Sequence, residues 1–415
     1  MNFFGHIRSM GPGIVVVLTW LGAGDLVESA TAGGNYGYAL MWSFVMALFV
    51  RYLFVSIVSK YQLFNPRRES VITGLCRIHK LYAPFIFICG LIISHGVGVY
   101  LLMGISEVCM RVSGIGTTGS WAVAMSVTAY FSVYQPLYRR TEKVILALAA
   151  LLTISLLSLA IAVGPSPMAL VNGVIGFTVP ETTGRFDAMF IAVSLLGAVG
   201  GGLANLMYPY FIREKGWTGP EHRRLQQYDL VFGIIVLIIL DLAVWTVGAE
   251  ILHPKGIKIT DLDSLAMILG ESFGLLGIRI FYIGVFAALF SSIAGNGAAY
   301  GYLISDSYRL MRKTDIVSNQ SAGYRWIAAW VILSPLPWVV FGKSDFIGVT
   351  IAVNAAQVVV IPFLVFGIWM ITSRTKHIGE SHRNNRLENI FIAFLMVLSC
   401  AAAYLSFDRI LGYLI

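Results

Sequence analysis

The sequence predicts an all-α polytopic membrane protein of about eleven transmembrane helices, built as two inverted five-helix repeats whose first and sixth helices are broken. Three observations predict it. The 415 residues are 57% hydrophobic and 12% charged, with a mean hydropathy of +0.78, a balance outside that of soluble globules. Apolar runs of roughly 18 residues or more, each long enough to cross a bilayer core, recur along the whole chain. Two of them are interrupted by glycine at their midpoints, at Gly22-Ala23-Gly24-Asp25 and at Gly200-Gly201-Gly202. Unwound backbone survives at membrane depth only where protein or a solvated cavity receives it, and such a pair, one in each half of the chain, points to a transport site.

The elements follow in order. The first span, 12–38, contains the first break, and its low positive charge and glycine-rich middle argue against a cleaved leader. The second, 39–59, holds Arg51 among apolar residues, and the third, 82–106, carries His95. Spans at 119–135 and 143–163 close the first repeat, 12–163. The sixth, 186–211, opens the second repeat, 186–372, with three successive glycines, the residue that apart from proline is costliest to hold in a helix. The seventh, 229–251, carries Asp241; the eighth, 278–304, carries Ser291, Ser292 and Asn296. A ninth span, 325–342, precedes the tenth, 346–372, where Asn354 and Gln357 share a face above Pro362, and 389–412 is an additional helix. Five is odd, so the second repeat runs through the membrane in the opposite sense. The longest polar loops, near 60–81, 212–228, 252–277 and 373–388, are too short to hold a core, and 1–415 reads as a single membrane domain.

Lysine and arginine fix the expected orientation, because they are retained on the cytoplasmic side. With the N-terminus inside, the clusters at Lys60–Lys80, Arg139–Lys143, Arg213–Arg224, Arg309–Arg325 and Arg374–Arg386 all lie inside, and only scattered residues such as Arg111, Arg185 and Lys255 lie outside. The protein is therefore expected in the cytoplasmic (plasma) membrane with the lipid bilayer as partner. Its net charge of +8 is explained by topology, and no nucleic-acid partner is implied. Cys76, Cys89, Cys109 and Cys400 show neither metal-binding spacing nor a disulfide framework. No nucleophile with its base, phosphate-binding loop or nucleotide motif is evident, so neither an enzyme, an ATP-driven pump nor a cofactor is indicated.

Asp25 and Glu28 lie one helical turn apart on one face beyond the first break. An intramembrane charge is a functional-site hypothesis by default, and two carboxylates facing a cavity attract a hard cation such as Mg²⁺, Ca²⁺ or Mn²⁺. The competing readings are that Asp25 caps the freed amides of the continuing helix, and that Glu28 lies near the outer surface or pairs with Arg51. Gly22, Gly200 and Gly201 would offer carbonyls, and Asn354 and Gln357 amide oxygens; close helix packing and interhelical hydrogen bonding are the ordinary uses of such residues. His95 and Asp241 are the remaining candidates for proton relay, against a structural role for each.

Gly11-Pro12-Gly13 opening the first span, Ala32-Gly33 and Tyr36-Gly37-Tyr38 closing it, Tyr138-Arg139-Arg140-Thr141-Glu142 before the fifth, Ser291-Ser292-Ile293 in the eighth and Pro362-Phe363 in the tenth together resemble the natural resistance-associated macrophage protein (Nramp) family of divalent metal transporters. The resemblance implies a leucine-transporter-like fold and metal uptake coupled to protons. It also marks departures. The family's Asp-Pro-Gly-Asn falls on Gly22-Ala23-Gly24-Asp25, which loses the first ligand and makes the second acidic. Its Met-Pro-His falls near Gly201-Gly202-Leu203, which removes the soft ligand, and its tenth-helix Gln falls on Asn354. An all-oxygen site loses its preference for Mn²⁺ and Fe²⁺ over hard cations.

The reading is a secondary-active symporter of a divalent metal cation, of Mg²⁺ or Mn²⁺ type, working by alternating access. The alternatives are the same fold carrying a small organic solute, and a non-transporting sensor or scaffold that has lost the metal site.

Overall fold

The computed structural model describes residues 23–134, 138–182, 185–313, 322–342 and 345–414. Gly22 and the Gly11-Pro12-Gly13 motif lie outside them, so the described part of the first span is Ala23–Tyr36. Among the described residues, eight helices are long and apolar enough to cross a membrane, and nine if the bent pair Ala147–Val163 and Pro167–Ile175, which turns by 107°, counts as one span. The other two expected spans appear as the 17-residue helix Thr118–Tyr134 and the 14-residue Ala23–Tyr36. Every one of the eleven expected spans thus has a helix at its place.

Several helices are longer than the apolar runs that announced them. The eighth is the extreme case: helix Leu262–Arg312 includes the span expected at 278–304, with a sharp break at Gly274 (φ 57°, ψ −141°) setting off its first turns. Those turns start on a reciprocal cap, with Asp261 accepting from the Ser264 amide and the Ser264 hydroxyl receiving the Asp261 amide. The Asp187 side chain caps the sixth span by accepting from the Phe190 amide at 3.0 Å, and Asp345 caps the tenth by accepting from Gly348 at 3.1 Å. Each cap satisfies amide donors that the helix start leaves free.

Close packing of spans depends on glycine at a few points. A Cβ on Gly33 would stand 2.5 Å from the Trp245 carbonyl oxygen, and one on Gly197 would stand 1.7 Å from the Asn354 carbonyl oxygen. The first span therefore lies tight against the seventh, and the sixth against the tenth, as small residues allow in membrane bundles. Trp245, fully buried, ties the first contact by donating its indole N–H to the Gly37 carbonyl at 2.8 Å.

Among the described residues, ion pairs join segments expected on the same side. Lys60–Glu388, Arg77–Glu69 and Arg309–Asp306 belong to the set expected inside, and Arg111–Asp263, Arg185–Asp345, Lys255–Glu271 and Arg409–Asp187 to the set expected outside. This segregation agrees with the order of crossings along the chain.

Candidate functional site

The sixth span is helical over Ala188–Ala198, loses its helix at Val199–Gly201, continues as a 3₁₀ turn over Gly202–Met207 and resumes as an α-helix over Tyr208–Glu214. Gly201 (φ 83°) and Gly202 (φ 38°) take left-handed conformations that side-chain-bearing residues rarely adopt. The glycine run is the physical cause of the break. Opening the helix frees carbonyl groups at its C-terminal, electronegative end. The Gly200 carbonyl is taken by the Asn205 side-chain amide at 2.8 Å, and the Ala198 carbonyl by Arg51 Nη2 at 3.0 Å.

A cavity of about 80 Å³ lies at this break, walled by the first, second, third, sixth, eighth and tenth spans. Asp25, Arg51, Gly201, Asn354, Gln357, Ser292 and Asn296 supply its polar lining, with Tyr100 and Tyr300 as aromatic walls. A site for one water needs roughly 10–15 Å³ of such volume, so there is room for an ion with several waters. Asp25 is buried, and its Oδ2 makes no hydrogen bond. Gly24 lets the wall close around it, since a Cβ there would fall 3.2 Å from the Asn354 side-chain nitrogen and 3.3 Å from the Tyr100 hydroxyl.

Glu28, fully buried, lies outside the cavity lining. Its Oε2 accepts from the Ser194 hydroxyl and its Oε1 from Asn354 Nδ2 at 3.1 Å, while Gln357 Nε2 donates to Asn354 Oδ1 at 3.0 Å. The chain Ser194–Glu28–Asn354–Gln357 crosses from the sixth span through the first to the tenth and fixes both amides at the cavity wall. Glu28 is thus neither at the outer surface nor the partner of Arg51. Arg51 instead lies in electrostatic reach of Asp25 and of the buried Asp241, which has Ser29 beside it.

The structure brings Asp25, Gly201, Asn354 and Gln357 to one cavity and seats Asp241 near it through Arg51. Gly200 is one residue away and uses its carbonyl within the break. His95 is elsewhere: its Nδ1 meets the Ser334 hydroxyl at 2.9 Å, and its ring lies near Trp330 and Trp338, both of which are exposed on the outer face of the bundle. Among the described residues, no group of three or more His, Cys, Asp and Glu side chains gathers as a metal cage.

Sequence reasoning noted Arg51 without placing it at the site, and missed Tyr100, Tyr300 and Met207. A charge inside a 24-residue apolar helix was a sufficient pointer for Arg51; the tyrosines and Met207 gave none. Met207, six residues past Gly201, also lines the cavity.

The natural resistance-associated macrophage protein-like family model matches residues 13–407. The chain belongs to the Nramp family. Among Nramp relatives, the divalent metal cation transporter MntH of Verminephrobacter eiseniae is 22% identical, over 97% of this chain and 88% of its own. MntH of Bacillus subtilis is also 22% identical, over 74% and 73%. In structure, a histidine-to-alanine variant of the Eremococcus coleocola manganese transporter superposes with a TM-score of 0.77 at 14% identity, covering 97% of this chain and 86% of that one. MhsT in complex with L-phenylalanine superposes at 0.62, with 14% identity and 96% and 97% coverage. The Nramp chain therefore has the leucine-transporter-like helical membrane fold that the family resemblance implied; the break in the sixth span lies among the described residues, whereas Ala23–Asp25 are helical and the start of the expected first break, Gly22, lies outside them.

Proposed function

We propose that this protein is a secondary-active transporter that carries a divalent cation of the Mg²⁺/Mn²⁺ class by alternating access. The observation that carries the proposal is Asp25, a buried carboxylate with an unpaired oxygen in a cavity beside a broken helix. The named relatives, divalent metal cation and manganese transporters, support the substrate class.

Asp25 supplies the ligand charge, while Asn354, Gln357 and the backbone near Gly201 supply neutral oxygens. With one carboxylate on the wall and space for water, the ion keeps part of its hydration, which is how Mg²⁺ is usually held. Met207 offers a softer contact that favours Mn²⁺. Release follows when the two repeats, 12–163 and 186–372, rock about the site and open it to the other side. Proton coupling comes to the proposal from the family resemblance, with Asp241 the nearest candidate carrier. The distribution of Lys and Arg along the loops supports an N-terminus in the cytoplasm and a plasma-membrane location.

Uptake of labelled Mn²⁺ into proteoliposomes tests this reading. The wild type accumulates label and Asp25→Ala does not; equal uptake by both removes Asp25 from the mechanism.

A second reading has one observation in its favour. Arg51 and Asp25 line the same cavity with opposite charges, an arrangement that suits the carboxylate and ammonium of a small zwitterion. Calorimetric titration with glycine beside Mn²⁺ and Mg²⁺ separates the two cargoes.

A further inference from the structure

The strongest unused feature of the site is a cation that the chain itself provides. Arg51 stands near the middle of the second span, helix Met41–Phe64, and is 3% exposed. It lines the cavity, donates through Nη2 to the Ala198 carbonyl at 3.0 Å, and lies in electrostatic reach of Asp25 and Asp241. Ala198 ends the first half of the broken sixth helix, and freed carbonyls at such an end are where broken-helix transporters hold cations. The guanidinium therefore occupies the place, and meets the partners, that a transported cation needs.

We propose that Arg51 is a tethered counter-cation, which fills the site when cargo is absent and yields Asp25 to the cargo when it enters. This rests on the cation reading of the site. A carboxylate buried without a partner is costly, so a carrier that returns empty needs something to neutralise it. Arginine suits this because it keeps its charge in nearly any environment. Asp241 lets it do so reversibly, because Arg51 can give up Asp25 and keep a second carboxyl group within electrostatic reach. Glycine at 201 leaves room for the guanidinium beside the break: a Cβ there would stand 3.3 Å from Arg51 Nη2 and 2.6 Å from Asn205 Oδ1.

Two consequences separate a competitor from a structural clamp. Removing a competitor strengthens cargo binding, whereas removing a clamp weakens it. An empty carrier without its counter-cation also returns slowly, so net uptake falls while exchange of bound label for unlabelled ion persists.

The test uses full-length wild type, Arg51→Gln and Arg51→Lys, with Mn²⁺ as probe. Calorimetry gives the affinity, and proteoliposomes give net uptake and exchange. The expected result is Mn²⁺ binding at least tenfold tighter in Arg51→Gln, with net uptake reduced at least tenfold and exchange retained. Arg51→Lys, which keeps the charge, stays within a few-fold of wild type in both assays. Unchanged or weaker binding in a folded Arg51→Gln, with binding by wild type intact, overturns the counter-cation and leaves the cation reading standing. If Arg51→Gln does not fold, tighter binding or net uptake lost with exchange retained in Arg51→Lys overturns the proposal, and near-wild-type behaviour supports it. Absence of Mn²⁺ binding in wild type and both variants overturns both the counter-cation and the cation reading.

Discussion

Arg51 Nη2 donates a hydrogen bond to the Ala198 carbonyl at 3.0 Å, joining the second span to the broken end of the sixth. This contact places a positive charge at the electronegative terminus of a half-helix. It also sets Asp25 and Asp241 around one shared counter-charge. The site consequently couples the first, second, sixth and seventh spans through electrostatics as well as through packing.

Gly197 is expected to tolerate no side chain. Its Cβ would overlap the Asn354 carbonyl, a backbone atom that cannot swing aside, and overpacking of this kind costs about 1–3 kcal/mol or more. Gly197→Val should lower the thermal unfolding temperature in detergent and reduce Mn²⁺ binding together; a variant with wild-type stability and binding contradicts the close approach.

Glu28 is expected to act through Asn354. Glu28→Gln keeps one acceptor for the two donors, Ser194 and Asn354, and should weaken Mn²⁺ binding by less than tenfold. Glu28→Ala leaves the buried Asn354 Nδ2 without its acceptor and Ser194 with only the Ile191 carbonyl at 2.8 Å, a loss of about 1–3 kcal/mol, and should be measurably less stable. If Glu28→Gln instead abolishes binding while remaining folded, Glu28 is a direct ligand.

Met207 is expected to bias the choice of ion. Its thioether interacts more favourably with Mn²⁺ than with Mg²⁺, so Met207→Ala should lower the affinity for Mn²⁺ several-fold and leave that for Mg²⁺ unchanged. An equal loss for both ions would assign Met207 to packing alone.

Asp261 lies outside the spans. Burial would raise its pKa, but the backbone and hydroxyl donors of Ser264 outweigh that and hold it below the ordinary 3.8. A carboxyl lowered in the folded state contributes stability above its unfolded value and loses it as pH falls through the folded one. Wild type should therefore exceed Asp261→Ala by about 1 kcal/mol at pH 7, as typical N-caps do. The gap should shrink towards pH 3. Thermal unfolding at the two pH values checks this, and an unchanged gap contradicts it.

Much of the fold was legible because membrane helices must satisfy their own backbone and present apolar residues for a known length. That constraint marked all eleven spans, but not their ends, since helices such as Leu262–Arg312 continue past the apolar run under caps and polar pairs. The sixth-span break was legible because glycine acts locally, at Gly201 and Gly202. The site was legible only in part. Asp25 and Glu28 share a helix face, yet one enters the cavity and the other supports its wall, a division decided by Ser194 and Asn354 from distant spans. Pairing Arg51 with Glu28 failed for the same reason: two charges in neighbouring spans gave no register between them. His95 had the right chemistry and depth, and its neighbours Ser334, Trp330 and Trp338 turn it to the outer face.

The central claim is that a divalent cation binds at Asp25. Calorimetric titration of Mn²⁺ into purified wild type and Asp25→Asn tests it most directly. Saturable binding by the wild type that disappears in a folded Asp25→Asn is the predicted result; identical isotherms for the two proteins would contradict it.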